Sequence, residues 1–149
     1  MKNLICRRAV GADDLAVCLA IRHAVFIVGQ NVPAELERDG RDEACMHYLA
    51  LVDDEPVGTA RIMPLEGKFK FQRVAVLEDF RGRGAGDGLM RFMMNDLSTR
   101  PDAVDRQFFL SSQVSAIGFY EKLGFRVCSD VFMDAGIEHR DMCRPVQAT

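Results

Sequence analysis

The chain has 149 residues and a net charge of −3, with 48% hydrophobic and 28% charged residues. That balance fits one ordinary folded domain spanning residues 1–149 and excludes disordered and fibrous classes. Nineteen Lys plus Arg against 22 Asp plus Glu argue against a nucleic-acid binder, and the longest apolar runs, such as Tyr48–Val52, are far too short to cross a membrane.

In chain order, residues 3–9 alternate loosely and predict a first strand. Gly11-Ala12-Asp13-Asp14 reads as a turn whose Asp side chains cap a helix start. Leu15, Cys18, Leu19, Arg22, Val25 and Phe26 recur at helical spacing, which predicts a helix to about Val28, ended by Gly29–Pro33. Pro33 suits the first position of a short helical turn to Arg38. Met46–Val52 and Val57–Met63 read as a hairpin around Asp53–Pro56, with Phe69–Leu77 as the third strand of the meander. Gly88–Leu97 carries Leu89, Met90, Met93 and Met94 on one helical face. A strand at 108–111, a helix at 114–123, and strands at 125–128 and near 138–144 follow. The order predicts an α/β fold: a mixed, mostly antiparallel sheet flanked by helices.

Five cysteines (Cys6, Cys18, Cys45, Cys128, Cys143) lie scattered with no C-x-x-C, and the N-terminal residues carry no apolar signal stretch. This predicts reduced, buried structural thiols in a cytoplasmic protein.

The segment Arg73 to Met90 is the most informative. It joins an apolar strand to an amphipathic helix through Arg81-Gly82-Arg83-Gly84-Ala85-Gly86, with glycine at alternate positions. Such a loop turns successive amides inward, and the helix start adds unpaired N–H groups and a positive dipole end. The pattern points to a bound phosphate or pyrophosphate. A Walker loop is excluded because no Gly-Lys-Ser/Thr follows, and the dinucleotide fingerprint because the glycine spacing is wrong.

Arg81-x-x-Gly84-x-Gly86 resembles the Q/R-x-x-G-x-G/A signature of the GNAT family, the GCN5-related N-acetyltransferases. Gln113 to Phe125, with Tyr120-x-x-x-Gly124-Phe125, looks like that family's second motif in the same chain order. Val25-Phe26-x-x-Gly29-Gln30-Asn31-Val32-Pro33, Glu35–Asp39, His47, Gly58–Arg61 and Gly136-Ile137-x-His139 resemble the ElaA-like branch, so the likeness covers nearly the whole chain. One departure is Gly29, where that branch commonly has Glu.

The resemblance implies acetyl transfer from acetyl-CoA, without a metal, by direct attack of a primary amine on the thioester. It places the pantetheine arm against Val74, Ala75 and Val76, and the pyrophosphate on the amides of Arg81, Gly82, Arg83, Gly84, Ala85 and Gly86. Gln113 stands where many relatives have Asn contacting the arm; as Gln it either does this or caps the helix. Tyr120 takes the position of the general acid, since a phenol stays protonated at neutral pH yet can donate to sulfur. The base stays open among His47, Glu35, Glu37, Asp39, Arg73 and a water chain. Eight acids against two bases over 35–55 suggest an acidic acceptor side, and seven bases against four acids over 61–91 a basic cofactor side. The acceptor is a small-molecule or peptide amine, and edge strands at either end of the sheet offer a route to a homodimer. Two rival readings are a non-catalytic acyl-CoA-binding module and an acyl-homoserine-lactone synthase. The latter rests on Arg22-x-x-Val25-Phe26 and Asp39-x-x-Asp42 and is weakened by the absence of tryptophan.

Overall fold

The computed structural model describes residues 3–146. Eight strands form one sheet: β1 (Leu4–Arg8), β2 (Met46–Val52), β3 (Glu55–Leu65), β4 (Lys68–Val76), β5 (Gln107–Gln113), β6 (Arg126–Val127), β7 (Phe132–Asp134) and β8 (Ile137–Pro145). Their order is β1-β2-β3-β4-β5-β8-β6, with β7 hydrogen-bonded to β8. Among the described residues only β4 and β5 run parallel; every other pairing is antiparallel. The four α-helical segments are α1 (Gly11–Arg22), α2 (Ala34–Glu37), α3 (Ala85–Ser98) and α4 (Ile117–Glu121).

Helices cover both faces because the strands alternate. Tyr48, Ala50, Ile62, Phe69, Phe71, Phe108 and Leu110 point to one side, where α3 brings down Leu89, Met90, Met93, Met94 and Leu97. Leu49 and Ala75 point to the other side and meet Cys18, Ile21 and Val25 of the first helix. The largest buried side chains include two arginines, Arg22 and Arg61.

Three elements depart from the sequence expectation. The first helix leaves α geometry after Arg22 and continues to Val28 as a wider π turn. It starts at Gly11 with Val10 at the cap, so Asp13 and Asp14 lie inside its first turn, and Asp14 reaches back to accept the Val10 amide (2.8 Å) and pairs with Arg7 (2.7 Å). The helix expected over 114–123 begins as a 3₁₀ turn at Val114–Ala116, and β7 was not anticipated. Of the five thiols only Cys18 is fully buried, and Cys128 is exposed.

Candidate active site

The sheet parts at its centre. Lys68–Phe71 of β4 pairs with Gln107–Leu110 of β5, and beyond that point β4 runs on to Val76 and β5 to Gln113 without pairing with each other. A cavity of about 350 Å³ occupies the gap. Val74, Ala75, Val76, Arg81, Gln113 and Tyr120, all singled out from the sequence, line it together. Gly82–Gly86 lie beyond that lining, on the turn leading into α3, where Gly86 comes close to Val76 and Phe119.

The parting has a local cause. Thr59 of β3 faces Ala75 while Arg61 faces Gln72, so β4 takes three steps against two and carries a bulge. Arg73 sits in it with φ of 55°, a left-handed conformation that side chains other than glycine rarely adopt in a strand. Its guanidinium is tied down by the Glu37 carboxylate (3.0 Å) and by the carbonyls of Leu36 and Glu37 (3.2 and 3.1 Å). The bulge also reverses the strand's alternation, sending Ala75 to the α1 side. The Leu77 amide bonds the Val57 carbonyl (2.8 Å), so the neighbouring main-chain groups of Val76 point the other way, into the gap.

Past β4 the chain makes a 3₁₀ turn at Glu78–Phe80 and then the glycine turn. Gly82 and Gly84 have φ of 74° and 87°, which only glycine adopts without strain, and a Cβ on either would meet open space. Among the described residues, the amides of Gly82, Arg83, Gly84, Ala85, Gly86 and Asp87 donate to no protein acceptor; the helix first closes with the Gly88 amide on the Gly84 carbonyl (2.9 Å). Arg81 departs from the expected amide cradle. Its amide is taken by the Glu78 carbonyl (3.2 Å) and its Nε by the Val76 carbonyl (3.0 Å), which leaves only its terminal guanidinium nitrogens for an anion.

Tyr120 packs edge-on against Phe119 and Phe125, with ring centroids 5.0 and 6.1 Å away. Burial pushes its pKa up to about 12, and its hydroxyl has no partner among the described side chains and carbonyls. The Gln113 amide donates to the Gln30 carbonyl oxygen (3.0 Å), linking the end of β5 to the turn after the first helix. Gln30 is a lining residue that sequence reasoning did not assign. Lys70, Ser111 and His139 are others, and His139 stood in the sequence only as part of the Gly136-Ile137-x-His139 likeness.

The candidate bases resolve differently. Glu35, Asp39 and His47 are not part of the cavity lining. His47 bonds the Asp42 carbonyl through Nε2 (2.8 Å). Glu37 borders the cavity, but Arg22 (2.6 Å) and Arg73 (3.0 Å) clamp it. Asp39 pairs with Arg61 (2.6 Å), and that hydrogen bond holds its carboxyl well below the usual range. Asp42 bridges Arg22 and Arg61 (2.7 and 2.9 Å); burial pushes its pKa up, and the two guanidinium groups more than reverse this. Of the eight acids over 35–55, Glu37, Asp39 and Asp42 are spent on Arg22, Arg61 and Arg73, while Glu35, Glu43, Asp53, Asp54 and Glu55 are exposed, and none of those five lines the cavity. Arg73, also weighed as a base, is structural in the same network.

Gly29, the departure from the ElaA-like pattern, closes the π turn: a Cβ there would lie 2.6 Å from the Val25 carbonyl oxygen. The local backbone leaves no room for the Glu of relatives.

A splayed pair of parallel strands, a strand bulge and a glycine turn with unspent amides define an acyltransferase of the GNAT fold. The family model described as the acetyltransferase (GNAT) domain matches residues 9–144, and the chain belongs to that family. The uncharacterized N-acetyltransferase YjcF of Bacillus subtilis is 34% identical over 91% of this chain and 96% of its own. The Escherichia coli protein ElaA is 30% identical over 92% of this chain and 91% of its own. The ElaA crystal structure superposes with a TM-score of 0.82 over 97% of this chain and 99% of that one, at 28% identity. An aminoglycoside 6′-N-acetyltransferase complexed with coenzyme A shares the fold at a TM-score of 0.75 and 12% identity, over 97% and 98% of the two chains.

Proposed function

We propose that this single-domain chain binds acetyl-CoA in the gap between β4 and β5 and transfers its acetyl group to a primary amine of a small molecule or peptide. The observation that carries this reading is the run of six amides without acceptors, Gly82 to Asp87, on the turn that follows the end of β4 left unpaired by β5.

The residues present fit the coenzyme. A diphosphate needs several converging donors, and the glycine turn offers six amides, a helix N-terminus and the free ends of Arg81. The pantetheine arm, an extended chain with amides, suits the outward main chain of Val74 and Val76 as an added strand would, with Ala75 between them turned to β3 and the Val76 carbonyl shared with Arg81. When bound, acetyl-CoA supplies an acetyl group activated as a thioester.

The chain's own groups supply the rest. The Val76 amide is placed to hold negative charge developing on the acetyl oxygen. Tyr120 keeps its proton at neutral pH, because burial disfavours the phenolate, and can give it to a departing sulfur. The Gln113–Gln30 bridge fixes the width of the cavity between β5 and the first helix.

The test is calorimetric titration with coenzyme A, followed by thiol release from acetyl-CoA against a panel of primary amines. One coenzyme per chain and release with at least one amine are expected. Failure of coenzyme A to bind the folded protein would overturn the reading.

A further inference from the structure

We propose that His139 is the general base of this transfer, its Nε2 taking a proton from the acceptor's ammonium group. The inference rests on the function proposed above and adds the residue that the sequence left open.

Three observations place it. His139 lines the same cavity as Tyr120 and Val76, on β8 and directly opposite Gln113 of β5. Its Nδ1 lies 2.7 Å from the Ile137 carbonyl, which can only accept, so the proton of the neutral ring is on Nδ1 and the lone pair on Nε2. That Nε2 has no hydrogen-bond partner, yet it is not sealed from solvent as the orphaned Nδ1 of His47 is. The ring itself is held in place. It is 9% exposed and stacks on Phe132 of β7 with centroids 6.0 Å apart.

A fixed ring that lines a cavity and keeps one acceptor nitrogen free and open to solvent is the geometry a base needs. The ammonium gives one proton to Nε2, which passes it to solvent. The neutral nitrogen forms its bond to the acetyl carbon as the carbon–sulfur bond breaks and the sulfur leaves with the electron pair. Tyr120 protonates that sulfur and is itself restored by the nitrogen's second proton. One amide, one thiol and one released proton balance the ammonium and the thioester.

Other charged groups surround the imidazole. Asp134 of β7 and Glu138, Arg140 and Asp141 of β8 flank it; Glu37, Lys70, Arg73 and Arg81 approach from across the cavity. Carboxylates and guanidinium groups ordinarily hold one charge from pH 5 to 8, the window in which histidine changes its own. Lys70 is the competitor, because burial lowers its pKa.

The experiment has two arms. With saturating acetyl-CoA and the fastest amine of the panel, wild-type kcat/KM should fall tenfold per pH unit below the histidine pKa. His139→Gln should lose about 100-fold at pH 8 and lose that acid limb, with coenzyme A affinity unchanged. Lys70→Met should keep the limb. In the second arm, long-range proton–nitrogen NMR of the wild-type protein, its three histidines assigned with His23→Gln and His47→Gln, should show His139 titrating from an Nδ1-protonated neutral form. A limb that survives in His139→Gln, a limb abolished by Lys70→Met, or an Nε2-protonated tautomer overturns the assignment. Turnover with none of the amines removes the base along with amine transfer, whereas loss of coenzyme A binding strikes the site itself.

Discussion

Tyr120, the proposed proton donor, is a case in which one hydroxyl can be tested by itself. Its ring is fixed by two aromatic neighbours and its oxygen is unbonded, so deleting the oxygen disturbs neither packing nor a hydrogen bond. Tyr120→Phe is expected to leave coenzyme A affinity and thermal stability intact while lowering kcat by about 100-fold. Calorimetry beside steady-state kinetics checks this, and an unaltered kcat would take Tyr120 out of the mechanism. Gly84 presents the opposite case, a residue whose lack of a side chain matters. At φ of 87° any L residue is strained by about 1–2 kcal/mol, although no protein atom lies within 4 Å of its Cβ position. Gly84→Val should therefore fold with a modest loss of stability but bind coenzyme A at least tenfold more weakly, because the added group and the relaxed turn both disturb the row of amides. Equal affinity in the folded variant would show that the diphosphate lies elsewhere.

At the scale of elements, the β4 bulge turns a sheet into a cleft. Arg73 occupies a conformation that costs about 1–3 kcal/mol and persists because Glu37, itself clamped by Arg22, holds its guanidinium. Separating strain from tether gives a prediction: Arg73→Gly removes both, whereas Arg73→Ala removes the tether and keeps the strain. The glycine variant should retain coenzyme A binding more nearly than the alanine variant, read by calorimetry on both folded proteins; the reverse order would mean that strain at this position is not what the untethered bulge must overcome. This bulge also marks where sequence reading stops. Strands β2 to β4 and helix α3 were legible because alternation and the Leu89–Met94 spacing are local patterns. The glycine turn was legible because alternating glycines have few other uses. The bulge depends on Glu37, 36 residues away, and the Gln113–Gln30 bridge on a partner 83 residues away, and no local pattern encodes either. The π turn and the three-residue β7 went unseen for the same reason. His139 became visible as a site residue only when β8 was placed beside β5.

Across the whole molecule, the joint between the helical N-terminal third and the sheet combines the apolar contacts of Cys18, Ile21 and Val25 with an ionic network. Arg22, Arg61 and Arg73 interlock with Glu37, Asp39 and Asp42, joining the first helix, the α2 segment, β3 and the β4 bulge. Arg22 and Arg61 are almost completely buried, and each holds two carboxylates, so removing one leaves three guanidinium groups on two carboxylates, a net buried charge costing up to about 3–5 kcal/mol. The network makes stability depend on acid pH in a definite direction. Asp39 and Asp42 have carboxyls held below their ordinary range in the folded state, so the unfolded chain binds protons more readily. Their contribution is complete above the unfolded carboxylate pKa, near 4, and is lost as pH falls through the lower folded values. Urea unfolding measured from pH 3 to 7 should show a midpoint that is flat above about pH 5 and drops below it. Asp39→Asn should be less stable at pH 7 and lose less on acidification than the parent. An equal drop in both proteins would place the acid sensitivity outside this network, and the Arg61–Asp39 pair would then be a contact without influence on the pH dependence of folding.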